Sequence, residues 1–166
     1  MKIPLIFTVM LALCSPASAQ TIDRRELGCI AHVVYGEARG EPFKDQLVIA
    51  WSVRLRKEAN LKYFGGSDIC NVAYKTTPRR WEYDGANKKI VDAAAWHRSL
   101  DVAELALLGV GRPKSRITYF CNPTISKCGW HRRDLKQVSI GSTGGQHRYY
   151  IDPKLPALSA YASYRE

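Results

Sequence analysis

Four cysteines constrain the fold of this chain more than any other feature: Cys29, Cys70, Cys121 and Cys128. An even number of cysteines in an exported chain predicts disulfides, and four cysteines allow three pairings. Cys121 and Cys128 flank Asn-Pro-Thr-Ile-Ser-Lys, a turn-rich loop that a disulfide could close. We therefore predict a Cys121–Cys128 bond and, from the two cysteines that remain, a Cys29–Cys70 bond. Paired CxxC or CxxxxH spacings are lacking, so we expect no zinc site.

The evidence for export lies in residues 1–19. This stretch has a lysine at position 2, continues with mainly apolar residues and ends in the small-residue cleavage signal Ala17-Ser18-Ala19. The apolar part is too short for a membrane anchor. We expect cleavage to remove a fifth cysteine, Cys14, and to release residues 20–166 as one domain into the periplasm or the extracellular space.

The composition restricts the class of protein and its partner. Apolar residues make up 46% of the chain and charged residues 24%, which excludes wholesale disorder and fibrous folds. The net charge of +10 predicts an acidic partner. Residues 112–136 hold seven Lys or Arg against one acid. This basic segment could be a solvated face, or it could bind anionic wall polymer or outer-membrane phosphates.

Helical periodicity covers much of the chain. Apolar residues at i, i+3, i+4 and i+7 predict a helix over 24–36, and a second apolar face after Pro42 predicts another over 42–58. Alanine-rich sequence over 87–109 predicts two further helices, broken near Ser99–Asp101. The chain is therefore expected to be mainly helical.

A minor β part is expected beside the helices. A short alternating run that ends in Asp-Gly predicts a small hairpin over 79–85. Two short extended pieces are predicted at 116–120 and 147–151, around the small disulfide loop. Together with the helices, these elements predict an α+β fold that is mainly α.

Glu37 is the sharpest local anomaly in the sequence. It lies three residues after Val34 and seven after Ile30, so it continues the apolar stripe of the first predicted helix. A carboxylate that faces a core is costly unless it is paired or functional, and partial burial would raise its pKa toward the range that a general acid needs. A solvated glutamate paired with Arg25 or Arg39 would have the same spacing. Spacing alone leaves both interpretations open.

Three blocks of the sequence resemble one known family. The first is Glu-Ala-Arg-Gly-Glu-Pro at 37–42, the second combines Cys-Asn-Val-Ala-Tyr at 70–74 with 81–85, and the third ends in Gly-Gln-His-Arg-Tyr-Tyr at 145–150. In that order they resemble the SleB/CwlJ family of cell wall hydrolases, known from spore cortex-lytic enzymes. The resemblance covers roughly residues 27–151.

The resemblance implies a lysozyme-like fold with a small β-hairpin, residues 20–166 forming a cell wall hydrolase catalytic domain. It implies cleavage of the MurNAc–GlcNAc strands of peptidoglycan, with the family's catalytic acid falling on Glu37. In a lytic transglycosylase, which the resemblance favours, one carboxyl group acts first as acid and then as base. A hydrolase, or muramidase, adds a second carboxylate, for which Glu82 and Asp84 are the candidates.

Five further side chains are candidates for substrate contact: Trp81, Glu82, Tyr119, His147 and Tyr149. The aromatic rings could stack on sugar faces, and His147 could hydrogen-bond the substrate or orient Glu37. Each could equally be a structural residue. We expect no cofactor and no metal, and a monomer whose partner is the peptidoglycan glycan strand rather than nucleic acid.

Two other functions fit the charge and the disulfides. One is a non-catalytic cationic wall-binding or bactericidal protein. The other is a secreted ribonuclease that uses His32 and His147 as acid and base. The ribonuclease leaves the block at 37–42 unexplained, and clearing of purified peptidoglycan separates all three functions.

Overall fold

The structure is a computed structural model, and it describes residues 21–77, 82–125, 128 and 134–155. The predicted signal peptide lies outside these ranges, as does Trp81. The helices are α1 Arg24–Ala38, α2 Phe43–Ala59, α3 Ile69–Ala73 and α4 Ala93–Leu107, with single 3₁₀ turns at Lys62–Phe64 and Asp84–Asn87. The strands are β1 Tyr119–Cys121, β2 Lys136–Val138 and β3 Arg148–Ile151.

The first two predicted helices are confirmed as α1 and α2. α1 begins after Asp23, whose carboxylate accepts hydrogen bonds from the backbone N–H groups of Arg25 and Glu26. α2 ends at Asn60, which adopts the left-handed conformation that stops a helix. Both helices pack with α4 around one apolar core, in which the Trp51 ring of α2 is fully buried.

The predicted break near Ser99–Asp101 is wrong, since α4 runs without interruption from Ala93 to Leu107. Ser99 is tolerated inside the helix because its hydroxyl donates to the carbonyl oxygen of Ala95, 2.8 Å away. No helix among the described residues is both long enough and apolar enough to cross a membrane.

The β part is a three-stranded antiparallel sheet with the order β1-β3-β2. Tyr119 pairs with Tyr150, and Val138 pairs with Tyr149. The predicted extended pieces are therefore confirmed as β1 and β3, whereas β2 had no clear sequence signal. Tyr149 and Tyr150, in the central strand, are both buried, and Tyr149 belongs to the same apolar core as the helices.

The predicted Asp-Gly hairpin turn at 84–85 is wrong, although the backbone N–H of Glu82 does donate to the carbonyl oxygen of Lys75 at 2.8 Å. Residues 82–83 precede a 3₁₀ turn, Asp84–Asn87, that packs against α1. Residues 78–81 lie outside the described ranges. The fold class of a mainly helical α+β domain nevertheless holds, with its β part supplied by the three-stranded sheet.

Both predicted disulfides are present. Cys29 of α1 is bonded to Cys70 of α3, with the two Cα atoms 5.2 Å apart. Cys121 at the end of β1 is bonded to Cys128, with Cα atoms 5.6 Å apart. The first bond ties the two helices together across 41 residues of chain, and the second closes the short loop after β1.

Candidate active site

Glu37 lies in the last turn of α1, partly buried against the 3₁₀ turn. Its Oε1 accepts a hydrogen bond from the backbone N–H of Gly85. The two backbones can approach this closely because both Gly36 and Gly85 lack a side chain; a Cβ on either would overlap the other. Gly36 therefore serves helix-to-turn packing rather than the approach of a substrate to the backbone.

Burial is the main cause of an upward shift in the pKa of Glu37 from its ordinary value. The negative charge of Asp84 adds to the shift. The Gly85 hydrogen bond, followed by the positive charges of Lys88 and Arg56, opposes it. The pKa remains raised overall, so a larger fraction of Glu37 is protonated near neutral pH than for a solvated glutamate.

The two arginines that could have neutralised Glu37 are engaged elsewhere. Arg25 pairs with Asp68, with Nη1 and Oδ2 2.8 Å apart. The guanidinium of Arg39 lies over the Tyr35 ring, 5.1 Å from its centroid. The interpretation of Glu37 as a solvated, paired residue at a helix end therefore loses its proposed partners.

The two candidates for a second carboxylate lie on the same short segment as Gly85. Glu82 is one-third exposed, and its Oε2 lies 3.9 Å from Nη1 of Arg56. Asp84 is exposed and close enough for its charge to raise the pKa of Glu37. Tyr83 between them points the other way, fully buried, with its hydroxyl 3.3 Å from that of Ser52.

His147 and Tyr149 belong to a second polar cluster, with two acids from the chain around the start of α2. The His147 side chain is only 4% exposed, and its Nδ1 lies 3.5 Å from Oε1 of Glu41. Burial lowers the pKa of His147, although Glu41 and Asp45 act against this. The Tyr149 hydroxyl donates to Oδ1 of buried Asp45 at 2.6 Å.

These contacts correct the stacking role of Tyr149 and the orientation of Glu37 by His147, while substrate contact by His147 stays a prediction. Tyr149 is 3% exposed, so its ring is not available to stack on a sugar. His147 contacts Glu41 rather than Glu37, and the Phe120 ring packs edge-on against it at 5.4 Å. The reason lies in the extended chain at β3, where side chains two residues apart point to the same face. His147 precedes β3 by one residue, so it lies on the same face as Tyr149 and beside the same acids.

The remaining aromatic candidates differ in how they are placed. Tyr119 is partly exposed and packs its ring 5.7 Å from that of Phe64. Trp81 lies outside the described residues, so its substrate contact stays a prediction. His32 packs against Trp96 at 4.8 Å and has no contact in common with His147 among the ring contacts of the described chain. Among the described residues, His32 and His147 therefore pack against different aromatic rings, as separate structural contacts.

Three features of the site were missed by sequence reasoning. Arg56 places a buried cation beside the segment that holds Glu37, Asp45 places a buried acid under the sheet, and the Gly85 N–H holds Glu37 itself. An arginine and an aspartate among apolar helix positions are weak signals of burial. Neither residue's partner could be found from the sequence.

Other surface features lie away from Glu37. A cleft of about 640 Å³ is lined by residues between 25 and 76. A second cleft, of about 460 Å³, is lined by residues at the start of α2 and by residues of 111–117 and 139–140. Glu37 lines neither cleft. Within the described ranges, no group of three or more His, Cys, Asp or Glu side chains could hold a metal ion.

Comparison with known proteins gives a consistent picture. No protein-family model matches the chain. Over 124 residues, or 72% of its length, the chain is 27% identical to the spore cortex-lytic enzyme of Oceanobacillus iheyensis. It spans about two-fifths of the length of that relative.

Solved structures decide the fold. The catalytic domain of the germination-specific lytic transglycosylase SleB from Bacillus anthracis superposes with a TM-score of 0.56, at 21% identity, over 80% of this chain and 99% of that one. The chain has the fold of the SleB catalytic domain. The catalytic domain of Bacillus cereus SleB gives a TM-score of 0.51, also at 21% identity, over 80% of this chain and 94% of that one. The resemblance to a SleB-type domain is therefore confirmed.

Proposed function

We propose that this chain is an exported lytic transglycosylase that cleaves the MurNAc–GlcNAc glycan strand of peptidoglycan, with Glu37 as its general acid and base. The observation that carries the proposal is the state of Glu37: a partly buried carboxyl group with a raised pKa, held by the Gly85 N–H. The SleB-type fold and the similarity to a spore cortex-lytic enzyme support the substrate class.

The first chemical step needs a proton on the leaving glycosidic oxygen. Burial raises the pKa of Glu37 and so favours the protonated carboxyl group, which can donate that proton as the bond breaks. The positive charge that develops on the sugar is then stabilised by the carboxylate that remains. The Gly85 N–H holds the carboxylate in one orientation through the step.

The second step distinguishes a transglycosylase from a hydrolase. In the proposed reaction the Glu37 carboxylate takes the proton from the muramic acid 6-hydroxyl, whose oxygen attacks the sugar carbon and forms a 1,6-anhydro end. A hydrolase would instead use a second carboxylate. Glu82 is held beside Arg56 and Asp84 is exposed, so the contacts favour one working carboxyl group.

The experiment is digestion of purified peptidoglycan, followed by mass spectrometry of the released muropeptides. Glu37→Gln keeps the shape of the side chain but cannot donate the proton, so we expect a loss of at least about 10²–10⁴-fold in rate. Glu26→Gln is the matched control, because Glu26 lies on the same helix and its side chain pairs with Lys57 of α2. It should keep full activity.

The products test the mechanism separately from the residue. Anhydro ends, each lighter by one water than a hydrolytic end, are expected in the wild-type digest. Reducing ends without any anhydro product would show that the chain is a hydrolytic muramidase and not a transglycosylase. Retained activity in a folded Glu37→Gln variant would remove Glu37 from the chemistry, and no clearing by the wild type would favour a wall-binding protein.

A further inference from the structure

Arg56 is a buried cation in the last turn of α2. Its side chain is only 4% exposed, and its Nε donates to the carbonyl oxygen of Thr118 at 2.7 Å. The guanidinium lies 4.6 Å from the ring centroid of Tyr83, 5.0 Å from that of Phe64 and 5.3 Å from that of Tyr119. Three aromatic faces replace part of the water that a charge normally requires.

One end of this cation faces Glu82, on the segment that also holds Gly85. Nη1 of Arg56 is buried and makes no hydrogen bond within the described part of the chain. Its nearest anion is Glu82, whose Oε2 is 3.9 Å away at the protein surface. A buried guanidinium is costly without a partner, so the pair constrains the position of Glu82.

The segment that Arg56 contacts is the same one that holds Glu37. Arg56 pairs with the side chain of Glu82 and stacks on the ring of Tyr83, and Gly85, two residues later, donates its N–H to Glu37. The Tyr83 hydroxyl adds a contact with Ser52 of α2. The backbone that holds Glu37 is therefore anchored to α2 through two adjacent residues.

We propose that Arg56 is a positioning residue for Glu37: it anchors residues 82–85 to α2 so that the Gly85 N–H stays on the Glu37 carboxyl group, and it supplies a fixed positive charge beside that group. The catalytic part of this inference rests on the proposed role of Glu37 as proton donor. The geometric part stands on the contacts alone.

The positive charge of Arg56 lowers the pKa of Glu37. The charged groups that face Glu37 are Asp84 and Lys88 from the 3₁₀ turn and the residue after it, and Arg56 from α2. Burial and Asp84 favour the neutral acid, while Lys88 and Arg56 favour the carboxylate. Removal of the Arg56 charge is therefore expected to raise the pKa of Glu37 further.

Carbon-13 NMR of labelled glutamate side chains tests this without any activity. The Glu37 signal is assigned by its loss in Glu37→Gln, and its titration is followed in Arg56→Met and Arg56→Lys. We expect a higher Glu37 pKa in Arg56→Met and a smaller change in Arg56→Lys, which keeps the charge. Arg54→Met is the control: Arg54 is also a partly buried arginine of α2, but it pairs with Glu58 and lies over Trp51.

The amide signal of Gly85 tests the positioning. Arg56→Lys keeps the charge and most of the volume but loses the bond to Thr118 and the planar stacking, so the Gly85 amide resonance should move in both Arg56 variants and stay in Arg54→Met. In peptidoglycan digestion, we expect kcat of both Arg56 variants to fall by about 10–100-fold with KM little changed.

The outcomes separate the two hypotheses. An unchanged Gly85 resonance in Arg56→Lys, or a Glu37 pKa that does not rise in folded Arg56→Met, would overturn the role of Arg56. An equal shift in Arg54→Met would also overturn it. If Arg56→Met does not fold, the Gly85 resonance of Arg56→Lys still decides. Activity retained in Glu37→Gln would refute the proposed function and leave the NMR result for Arg56 valid.

Discussion

Gly36 and Gly85 lie backbone against backbone, so closely that a Cβ atom on either residue would overlap the other. This contact joins the last turn of α1 to the 3₁₀ turn that follows Tyr83. It also brings the Gly85 N–H within reach of Glu37, the next residue after Gly36. The position of the proposed acid therefore depends on glycine at both 36 and 85.

Gly36→Ala should displace the 3₁₀ turn and lose activity. The new methyl group has backbone on the other side, which cannot yield as a flexible side chain can, so we expect a loss of about 1–3 kcal/mol in the free energy of unfolding. Circular dichroism during urea unfolding measures the loss, and peptidoglycan clearing measures the activity.

Gly28→Ala is the matched control for this variant. Gly28 lies in the same helix, and a Cβ there would have no heavy atom within 4 Å. Alanine should stabilise α1 by about 0.5–1 kcal/mol with unchanged activity. Equal effects of the two substitutions would contradict the packing argument.

The stability of Glu37→Gln relative to the wild type should increase as the pH rises. Because burial raises the Glu37 pKa above its ordinary value of 4.5, the folded state holds the proton more tightly than the unfolded state does. Wild-type stability is therefore lost as pH rises from the ordinary pKa through the raised one, and the glutamine variant escapes this loss.

Thermal unfolding between pH 3.5 and 8 measures this difference. The melting temperature of Glu37→Gln relative to the wild type should increase with pH across that window and then level off. Glu26→Gln, which removes the pair with Lys57 of α2, should show no such increase. A difference that stays flat with pH would show that the carboxyl group is solvated.

The sequence predicted what depends on local spacing. The apolar stripe of 24–36 gave α1 and singled out Glu37, and the turn-rich stretch between Cys121 and Cys128 gave one disulfide and, from the remaining pair, the other. Arg56 and Asp45 could not be interpreted in this way. Their partners, Thr118 and Tyr149, are 62 and 104 residues further along the chain.

The two errors have different physical origins. A helix break was predicted near Ser99–Asp101, but α4 continues through it, and the Ser99 hydroxyl bonds to a backbone carbonyl within the helix. The hairpin was predicted from Asp84-Gly85, yet the glycine serves contact with Gly36 rather than a strand turn. In α4 a hydrogen bond within the helix decided the local structure, and at Gly85 a contact with another element did.

Tyr149→Phe should destabilise the protein more than loss of a surface hydroxyl would. Its hydroxyl donates to Oδ1 of Asp45, which is 1% exposed, and Oδ2 of Asp45 makes no hydrogen bond in the part of the chain that the structure describes. Without the hydroxyl, we expect a cost of about 1–3 kcal/mol in the free energy of unfolding. Denaturant unfolding at pH 7 measures it.

Two further variants test the reason. Tyr63→Phe, at an exposed ring, should change the free energy of unfolding by less than about 0.5 kcal/mol. Adding Asp45→Asn to Tyr149→Phe should recover part of the loss, because the amide is neutral and cheaper to bury. No recovery in the double variant would mean that the hydroxyl acts through packing alone.

The two disulfides should contribute unequally. The Cys29–Cys70 bond closes 41 residues of chain and the Cys121–Cys128 bond only seven. On the chain-entropy model, replacement of both cysteines by alanine should cost about 4 kcal/mol for the longer loop and about 2 kcal/mol for the shorter one. Peptide mapping without reductant checks the pairing first, and a Cys29–Cys121 peptide would refute it.

Salt should weaken activity on whole walls more than cleavage of a short neutral chito-oligomer. With a net charge of +10, the protein attracts an anionic polymer at long range, and this attraction is screened over about 8 Å at 0.15 M salt. Lys114 and Lys136 are exposed members of the basic segment 112–136, of which 126–127 and 129–133 lie outside the described residues.

Reversal of both Lys114 and Lys136 to glutamate should reduce wall binding and leave the rate on the neutral oligomer unchanged. The control reverses exposed Arg24 and Arg98, which changes the net charge equally elsewhere on the surface. If both pairs weaken wall binding alike, net charge acts without a dedicated basic face, and if neither does, the charge serves solubility alone.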